Sequence, residues 1–261
     1  MPVKQAIRIQ VLGFFAITVD ERRLENVVIR SRRGIDLLVR LILQQGKPVP
    51  IQQLTRELWG ASDTPHSHES ALKTRVSRLR DLLESVAPGL EECVQSGSKS
   101  YRYQPLENVT VDVLEMLELI GGMQEELSDD ERLRRCRRVM EIYQGEPYLP
   151  LGTVGDVMQA SYLRASYLRT AHTCVELLQE RGDENGVINA CRLALRQDPL
   201  DEILRAALMR ALVRSGHPEE ASQEYALAVR LNRQMLDSEP GEELQRCRRE
   251  LLDNKANARA I

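Results

Sequence analysis

Residues 69–86 read ESALKTRVSRLRDLLESV. Placed on a helix at ~100° per residue, Leu72, Val76, Leu79 and Leu83 fall on one narrow stripe. The opposite arc carries Ser70, Thr74, Ser77, Arg78 and Asp81, and the flanks carry Lys73, Arg75 and Arg80. One face is oily; the rest offers four cations with short hydroxyls between them. A helix that enters the major groove needs this combination. Arginine donates a bidentate pair to guanine, and serine or threonine reaches either base edge. Flanking lysine and arginine neutralise phosphates and fix the register. An amphipathic helix with a merely solvated face has the same wheel, so the neighbouring elements must decide.

Upstream, residues 51–59 (IQQLTRELW) form a two-turn helix with Leu54 and Leu58 on one face, closed by Gly60. The segment GASDTPHSH (60–68) is a polar loop leading to the long helix. Before these, residues 32–45 carry Leu37, Leu38, Leu41 and Ile42 at helical spacing, with Ser31 as cap and Gly46 as stop. The first residues alternate as two antiparallel strands, 6–12 and 14–20, around Gly13, with a third strand expected at 27–30. Downstream, residues 91–95 and 100–104 form a hairpin through the turn Ser96-Gly97-Ser98-Lys99. Ser98 and Lys99 are placed to reach a minor groove or its phosphates. Tyr101 and Tyr103 share one strand face and read as packing residues. Short helix, loop, longer basic helix and hairpin, in that order, make a winged helix-turn-helix.

After Pro105 the pattern turns helical almost throughout, over 112–124, 129–144, 155–181, 184–197, 201–215, 218–236 and 241–253, with a loop at 145–155. Gly182 and Gly216 stand 34 residues apart, and Ala194 matches Ala228 at the same offset, as Leu195 does Val229. That is the period of tetratricopeptide helix hairpins. The expected architecture is an α+β winged helix over residues 1–105, followed by an all-α, tetratricopeptide-like domain over 106–261.

Composition agrees. Net charge is −3, but residues 1–105 hold 16 basic and 11 acidic side chains, so +5, and the remainder is −8. A basic front and an acidic back suit a DNA module joined to a protein-binding module. The five cysteines (Cys93, Cys136, Cys174, Cys191, Cys247) lack metal-ligand spacing and read as reduced thiols of a cytoplasmic protein. His66 and His68 flank Ser67, but no third ligand lies at useful spacing, so no metal is expected. No nucleophile elbow, carboxylate pair or Gly-rich phosphate cradle appears, which argues against an enzyme or a cofactor. No apolar run has the length of a membrane span.

The stretches LTRELWG (54–60), ESALKTRVSRLRDLLE (69–84) and SYRYQ (100–104) resemble the OmpR-type winged helix. EIYQGEPYLP (141–150), residues 193–236 and SEPGEELQRCRREL (238–251) resemble the bacterial transcriptional activator domain. The two in this order, over about residues 6–254, resemble the Streptomyces antibiotic regulatory proteins. The resemblance implies sequence-specific binding of direct repeats near promoters, activation through RNA polymerase, and 69–86 as the recognition helix. With the helical wheel and the wing turn, this makes Ser70, Lys73, Thr74, Arg75, Ser77, Arg78 and Arg80, with Ser98 and Lys99, the expected DNA contacts, and a homodimer is expected. Larger members add a nucleotide-binding domain; no GxxxxGK[ST] occurs in these residues, and control through a receiver domain is not expected. The alternatives from other classes are a helical-repeat interaction scaffold and a ligand-responsive regulator, each with the winged helix as a docking module.

Overall fold

The computed structural model describes residues 5–24, 32–60, 65–124, 126–149 and 154–258. It divides into two compact units, residues 1–121 with 142–164, and residues 122–141 with 165–261.

The first unit opens with strands β1 (Ile7–Gln10), β2 (Ala16–Val19) and β3 (Arg22–Leu24). β1 and β2 pair antiparallel, Ile9 opposite Ile17. β3 follows after two residues with positive φ, Asp20 (47°) and Glu21 (67°). That pair of left-handed conformations matches the hairpin twist, and without a glycine to mark it the turn is hidden in the sequence. β3 is a strand the sequence reading did not single out; the strand expected at 27–30, and the cap Ser31, lie outside the described residues. Helix α1 (Arg32–Ile42) is buried from Gly34 onward. It stops three residues short of the predicted end, where Gln45 and Gly46 take positive φ. β4 (Val49–Pro50) leads directly into α2 (Ile51–Trp59).

Helix α3 (Pro65–Val86) begins four residues earlier than its apolar stripe required. Proline at a helix start has its φ preset and lacks an N–H the helix would leave unpaired anyway. The predicted loop 60–68 is therefore shorter. A 3₁₀ turn (Leu90–Cys93) replaces most of the predicted strand 91–95, because Gly89 enters it at φ 87° and turns Leu90 and Cys93 inward. The wing is then β5 (Val94–Ser96) and β6 (Ser100–Tyr103), with β4 on the other side of β6. Tyr101 and Tyr103 are buried, as expected of packing residues.

The chain past Pro105 first makes one more strand, β7 (Val109–Val111), which the helical reading passed over. It lies parallel to β1, Ile7 opposite Val109, and completes the order β3-β2-β1-β7. Helix α4 (Asp112–Gly121) follows it. Asp112 is 1% exposed. Its carboxylate accepts the N–H groups of Val11 (2.9 Å), Leu12 (2.9 Å) and Val113 (2.7 Å). From the other side, Gly13 N–H donates to the Glu146 carbonyl and Tyr148 N–H to that of Val11. Gly13 has φ 87°, and a Cβ there would meet the Gln144 carbonyl oxygen at 2.9 Å. Only glycine suits that corner.

The second unit holds α5 (Asp129–Ile142) up to Glu141, the later part of α6 (Val154–Glu180), and α7 (Glu184–Gln197), α8 (Glu202–Arg214), α9 (Pro218–Leu236) and α10 (Glu242–Ala258). The 34-residue repeat is a repeated hairpin. Gly182 and Gly216 both sit at positive φ (68° and 82°). Asp183 N–H then reaches the Leu178 carbonyl, and His217 N–H that of Leu212. This is the left-handed helix stop that glycine favours. Ala194 and Ala228 are buried at matching positions, where small side chains let paired helices approach.

A polar clasp joins two of these helices. His172 Nε2 lies 2.8 Å from Asp201 Oδ2, and Asp201 caps α8 by accepting the Leu204 N–H. The Asp201 hydrogen bond, against partial desolvation, raises the His172 pKa, with Glu176 adding to it. Burial opposes ionisation of Asp201, but the bonds from His172 and Leu204 outweigh it and hold the carboxyl below its ordinary value. A raised histidine stabilises fully below its unfolded pKa of ~6.5 and loses this as pH rises through the folded value. The depressed aspartate contributes above its unfolded value and loses this as pH falls through the folded one. His172→Ala is therefore expected to destabilise the chain more at pH 6 than at pH 8, measured by urea unfolding. Equal losses at both pH values would show that the clasp holds no proton.

Candidate nucleic-acid interface

Helix α3 is held from behind by its apolar stripe. Leu72, Leu79 and Leu83 are 0% exposed and Val76 is 2%. Burying such side chains contributes ~1.5–3 kcal/mol each, enough to fix the rotation of the helix. That rotation decides what faces outward. Ser70, Lys73, Thr74, Ser77, Arg78 and Asp81 are exposed, as are Ser98 and Lys99 at the wing tip. Thr74 donates its hydroxyl to the Ser70 carbonyl at 3.1 Å, leaving its oxygen lone pairs outward for a second partner.

Two of the predicted contact residues are committed elsewhere. Arg80 donates through Nε and Nη2 to the Val94 carbonyl (3.1 and 2.6 Å) and through Nη2 to Ser96 Oγ (2.9 Å). It clips α3 to the wing. Arg75 lies over the indole of Trp59, 4.4 Å from the ring centroid, and is half-buried. His68 stacks on the same indole, with centroids 5.4 Å apart and planes 16° apart. Trp59 at the end of α2 is thus gripped by two residues of α3, which locks the angle between the two helices. The helical wheel places Arg75 and Arg80 on the flanks but cannot say that a flank meets a ring or a strand. The outward set narrows to Ser70, Lys73, Thr74, Ser77 and Arg78, with Ser98 and Lys99.

The support beneath is polar as well as apolar. Arg40 on α1 donates to Glu57 on α2 through two parallel bonds (2.7 and 2.8 Å), and Gln53 adds a third (2.9 Å). The wing strand β6 carries Arg102 bonded to Gln95 across the hairpin. The wing turn closes by Gly97 N–H donating to the Ser100 carbonyl, which leaves Ser98 and Lys99 at the tip.

An exposed basic helix between a short supporting helix and a hairpin wing, on a four-stranded N-terminal sheet, defines a winged-helix DNA-binding module. Helical hairpins follow it in the chain. Comparison with known families agrees in the same order: residues 25–97 match "Transcriptional regulatory protein, C terminal" and residues 111–252 match "Bacterial transcriptional activator domain". The chain belongs to the bacterial transcriptional activator domain family and, with its winged helix in front, to the Streptomyces antibiotic regulatory protein type of DNA-binding transcriptional regulators. It is similar to the regulatory protein AfsR of Streptomyces coelicolor, 27% identical over 233 residues, 87% of this chain and 23% of that protein. The AfsR of Streptomyces griseus is 26% identical over 220 residues, 83% of this chain and 22% of that protein. The chain thus spans about a quarter of the length of these relatives. Mycobacterium tuberculosis EmbR, solved in complex with a low-affinity phosphopeptide, shares the fold with a TM-score of 0.62 at 17% identity, over 96% of this chain and 66% of that one. Among the described residues no helix is long and apolar enough to cross a membrane.

Proposed function

We propose that the chain activates transcription by binding direct repeats near promoters as a homodimer and contacting RNA polymerase, as a cytoplasmic, non-catalytic protein. The observation that carries the DNA reading is the exposed set Ser70, Lys73, Thr74, Ser77 and Arg78 on a helix whose other face is fully buried. Arg78 is the base reader and Lys73 a phosphate contact, by the chemistry each side chain offers. Ser98 and Lys99 reach the adjacent backbone from the wing. The proposed division of labour is residues 1–105 for DNA and 106–261 for activation. β7 and α4 then carry the first residues of the activator-domain match while belonging to the first compact unit.

Selection of bound sites from random DNA, followed by footprinting, tests motif, spacing and stoichiometry together. With the selected site in hand, Arg78→Ala is expected to cost ~1–3 kcal/mol at one base position and to relax preference there. Lys73→Ala is expected to weaken all sequences alike and to lower the salt dependence by about one counterion. If neither substitution changes DNA affinity, α3 is not the reading element. If protection covers a single half-site at all concentrations, the dimer is wrong.

A further inference from the structure

Tyr148 lies in the activator-domain match, yet it belongs to the first compact unit. Its backbone is fixed to the corner after β1: Tyr148 N–H donates to the Val11 carbonyl at 2.7 Å, and Leu12 pairs with Pro147. Its ring leans on buried Phe15, with centroids 6.2 Å apart. A side chain held at backbone and ring can aim its hydroxyl, and this one donates to Asp36 Oδ1 on α1 at 3.3 Å. Arg32 bonds the same hydroxyl. Asp36 is 9% exposed, and a carboxylate so placed is costly unless partners satisfy it. Burial pushes its carboxyl above the ordinary value, while the Tyr148 bond and the charges of Arg32, Arg75 and Arg33 pull the other way.

That carboxylate matters most for Arg75. Arg32 and Arg33 are exposed at the start of α1, whereas Arg75 on α3 is half-buried, so solvent screens its attraction to Asp36 least. Arg33 repels the Arg75 guanidinium and Asp36 attracts it. The same guanidinium lies 4.4 Å from the Trp59 ring centroid. Arg75 is therefore held by the indole and the Asp36 charge together. Neutralising Asp36 removes the attraction and leaves the Arg33 repulsion in place, which loosens Arg75 from the ring. The contacts run in series from the activator-domain match to α3: Tyr148 to Asp36, Asp36 to Arg75, Arg75 to Trp59.

We propose that Asp36 and Tyr148 are positioning residues for α3: Tyr148 holds Asp36, Asp36 holds Arg75 on Trp59, and the angle so fixed between α2 and α3 sets how well α3 discriminates DNA sequences. A residue outside the winged helix thus acts on sequence preference without touching DNA. The proposed role rests on α3 being the reading element.

The test uses the full chain and two readouts. Trp59 is its one tryptophan, so a single indole N–H cross-peak in the NMR spectrum reports the end of the series. The other readout is the ratio of affinities for the selected site and for a random-sequence duplex at the same salt. Asp36→Asn, which keeps the shape of the side chain, is expected to shift the cross-peak and lower the ratio about tenfold, the scale of a lost hydrogen bond to a charged group. Tyr148→Phe, which keeps the ring on Phe15, should shift the cross-peak the same way and lower the ratio about threefold. The double variant should match Asp36→Asn alone, as residues acting in series do. If Asp36→Asn tightens both duplexes alike and leaves the cross-peak in place, Asp36 is only a negative charge near the DNA, which overturns the proposal. Effects of the two substitutions that multiply overturn it too, since Tyr148 then acts elsewhere. Arg78→Ala in the same assay checks α3 separately. If it lowers the ratio and Asp36→Asn moves only the cross-peak, positioning for DNA is overturned. If it leaves the ratio unchanged, α3 is not the reader, and the cross-peak alone decides whether Asp36 and Tyr148 position it.

Discussion

Glu57→Ala is expected to destabilise the N-terminal unit by about 3 kcal/mol, because truncating one member of a buried ion pair strands the other. The side chains of Arg40 and Glu57 are 10% and 15% exposed, and their bond is bidentate. Burial alone would raise the Glu57 carboxyl, but the hydrogen bonds from Arg40 and Gln53 outweigh it and hold it below its ordinary value. A depressed carboxylate contributes stability above its unfolded pKa and loses it as pH falls through the folded one. The defect should therefore shrink in acid. Urea unfolding at pH 7 and pH 4 checks both statements. A loss below about 1 kcal/mol at pH 7 would mean that the pair is no better than a surface bridge. Replacing the pair by Arg40→Met with Glu57→Leu should recover much of the loss, since apolar packing substitutes for buried pairs. The consequence is functional without any DNA-facing residue being touched. The Arg40–Glu57 bond joins α1 to α2, and Trp59 at the end of α2 is the surface on which His68 and Arg75 of α3 are stacked. Loosening α2 should blunt DNA affinity along with stability.

How far the sequence carries can be judged from α3. Its stripe Leu72, Val76, Leu79 and Leu83 was legible because helical periodicity reports burial directly, and each is buried. The destination of its cations was not legible. Lys73, Arg75, Arg78 and Arg80 look equivalent on a wheel, yet Arg75 is spent on an indole ring and Arg80 on a strand carbonyl. Those contacts join residues 14–16 positions apart, and local pattern holds no record of them. The same limit hid β7. Val109-Thr110-Val111 alternates as a strand does, but its partner is β1, a hundred residues earlier. A three-residue run beside long helical patterns is too short to announce itself. Repeats were the opposite case. The glycine spacing of 34 encodes a backbone requirement, positive φ at both helix stops, so sequence and structure carry the same information there. The outward face of α3 thus divides: its orientation follows from the apolar stripe, and its final membership from tertiary contacts.

Asp112→Ala should cost the N-terminal unit about 3 kcal/mol or more, by leaving three buried N–H groups without their acceptor at ~1–3 kcal/mol each. The corner at residues 11–13 has turned out of β1 and cannot use the sheet ladder for these donors. Asp112 serves two of them and the start of its own helix as well. Burial pushes its carboxyl up to about 6, with the bonds from Leu12, Val11 and Val113 pulling the other way. The sign for stability is the reverse of that for Glu57. Between the unfolded value of ~3.9 and about 6, the native state binds the proton more tightly than the unfolded chain. Ionisation of Asp112 therefore subtracts stability as pH rises through that window, and mild acid restores it. Asp112→Asn should keep one acceptor oxygen, cost less than alanine, and remove the pH dependence belonging to this group. Comparing the wild-type and asparagine chains by urea unfolding at pH 5 and pH 7.5 isolates it. If the difference between the two chains is the same at both pH values, the carboxyl is not titrating in the native corner. If alanine costs no more than about 1 kcal/mol, the corner is held from the Gly13 and Tyr148 side alone. The expected result instead makes Asp112 the side chain that fastens the β7–α4 junction, where the activator-domain match begins, to the corner at residues 11–13.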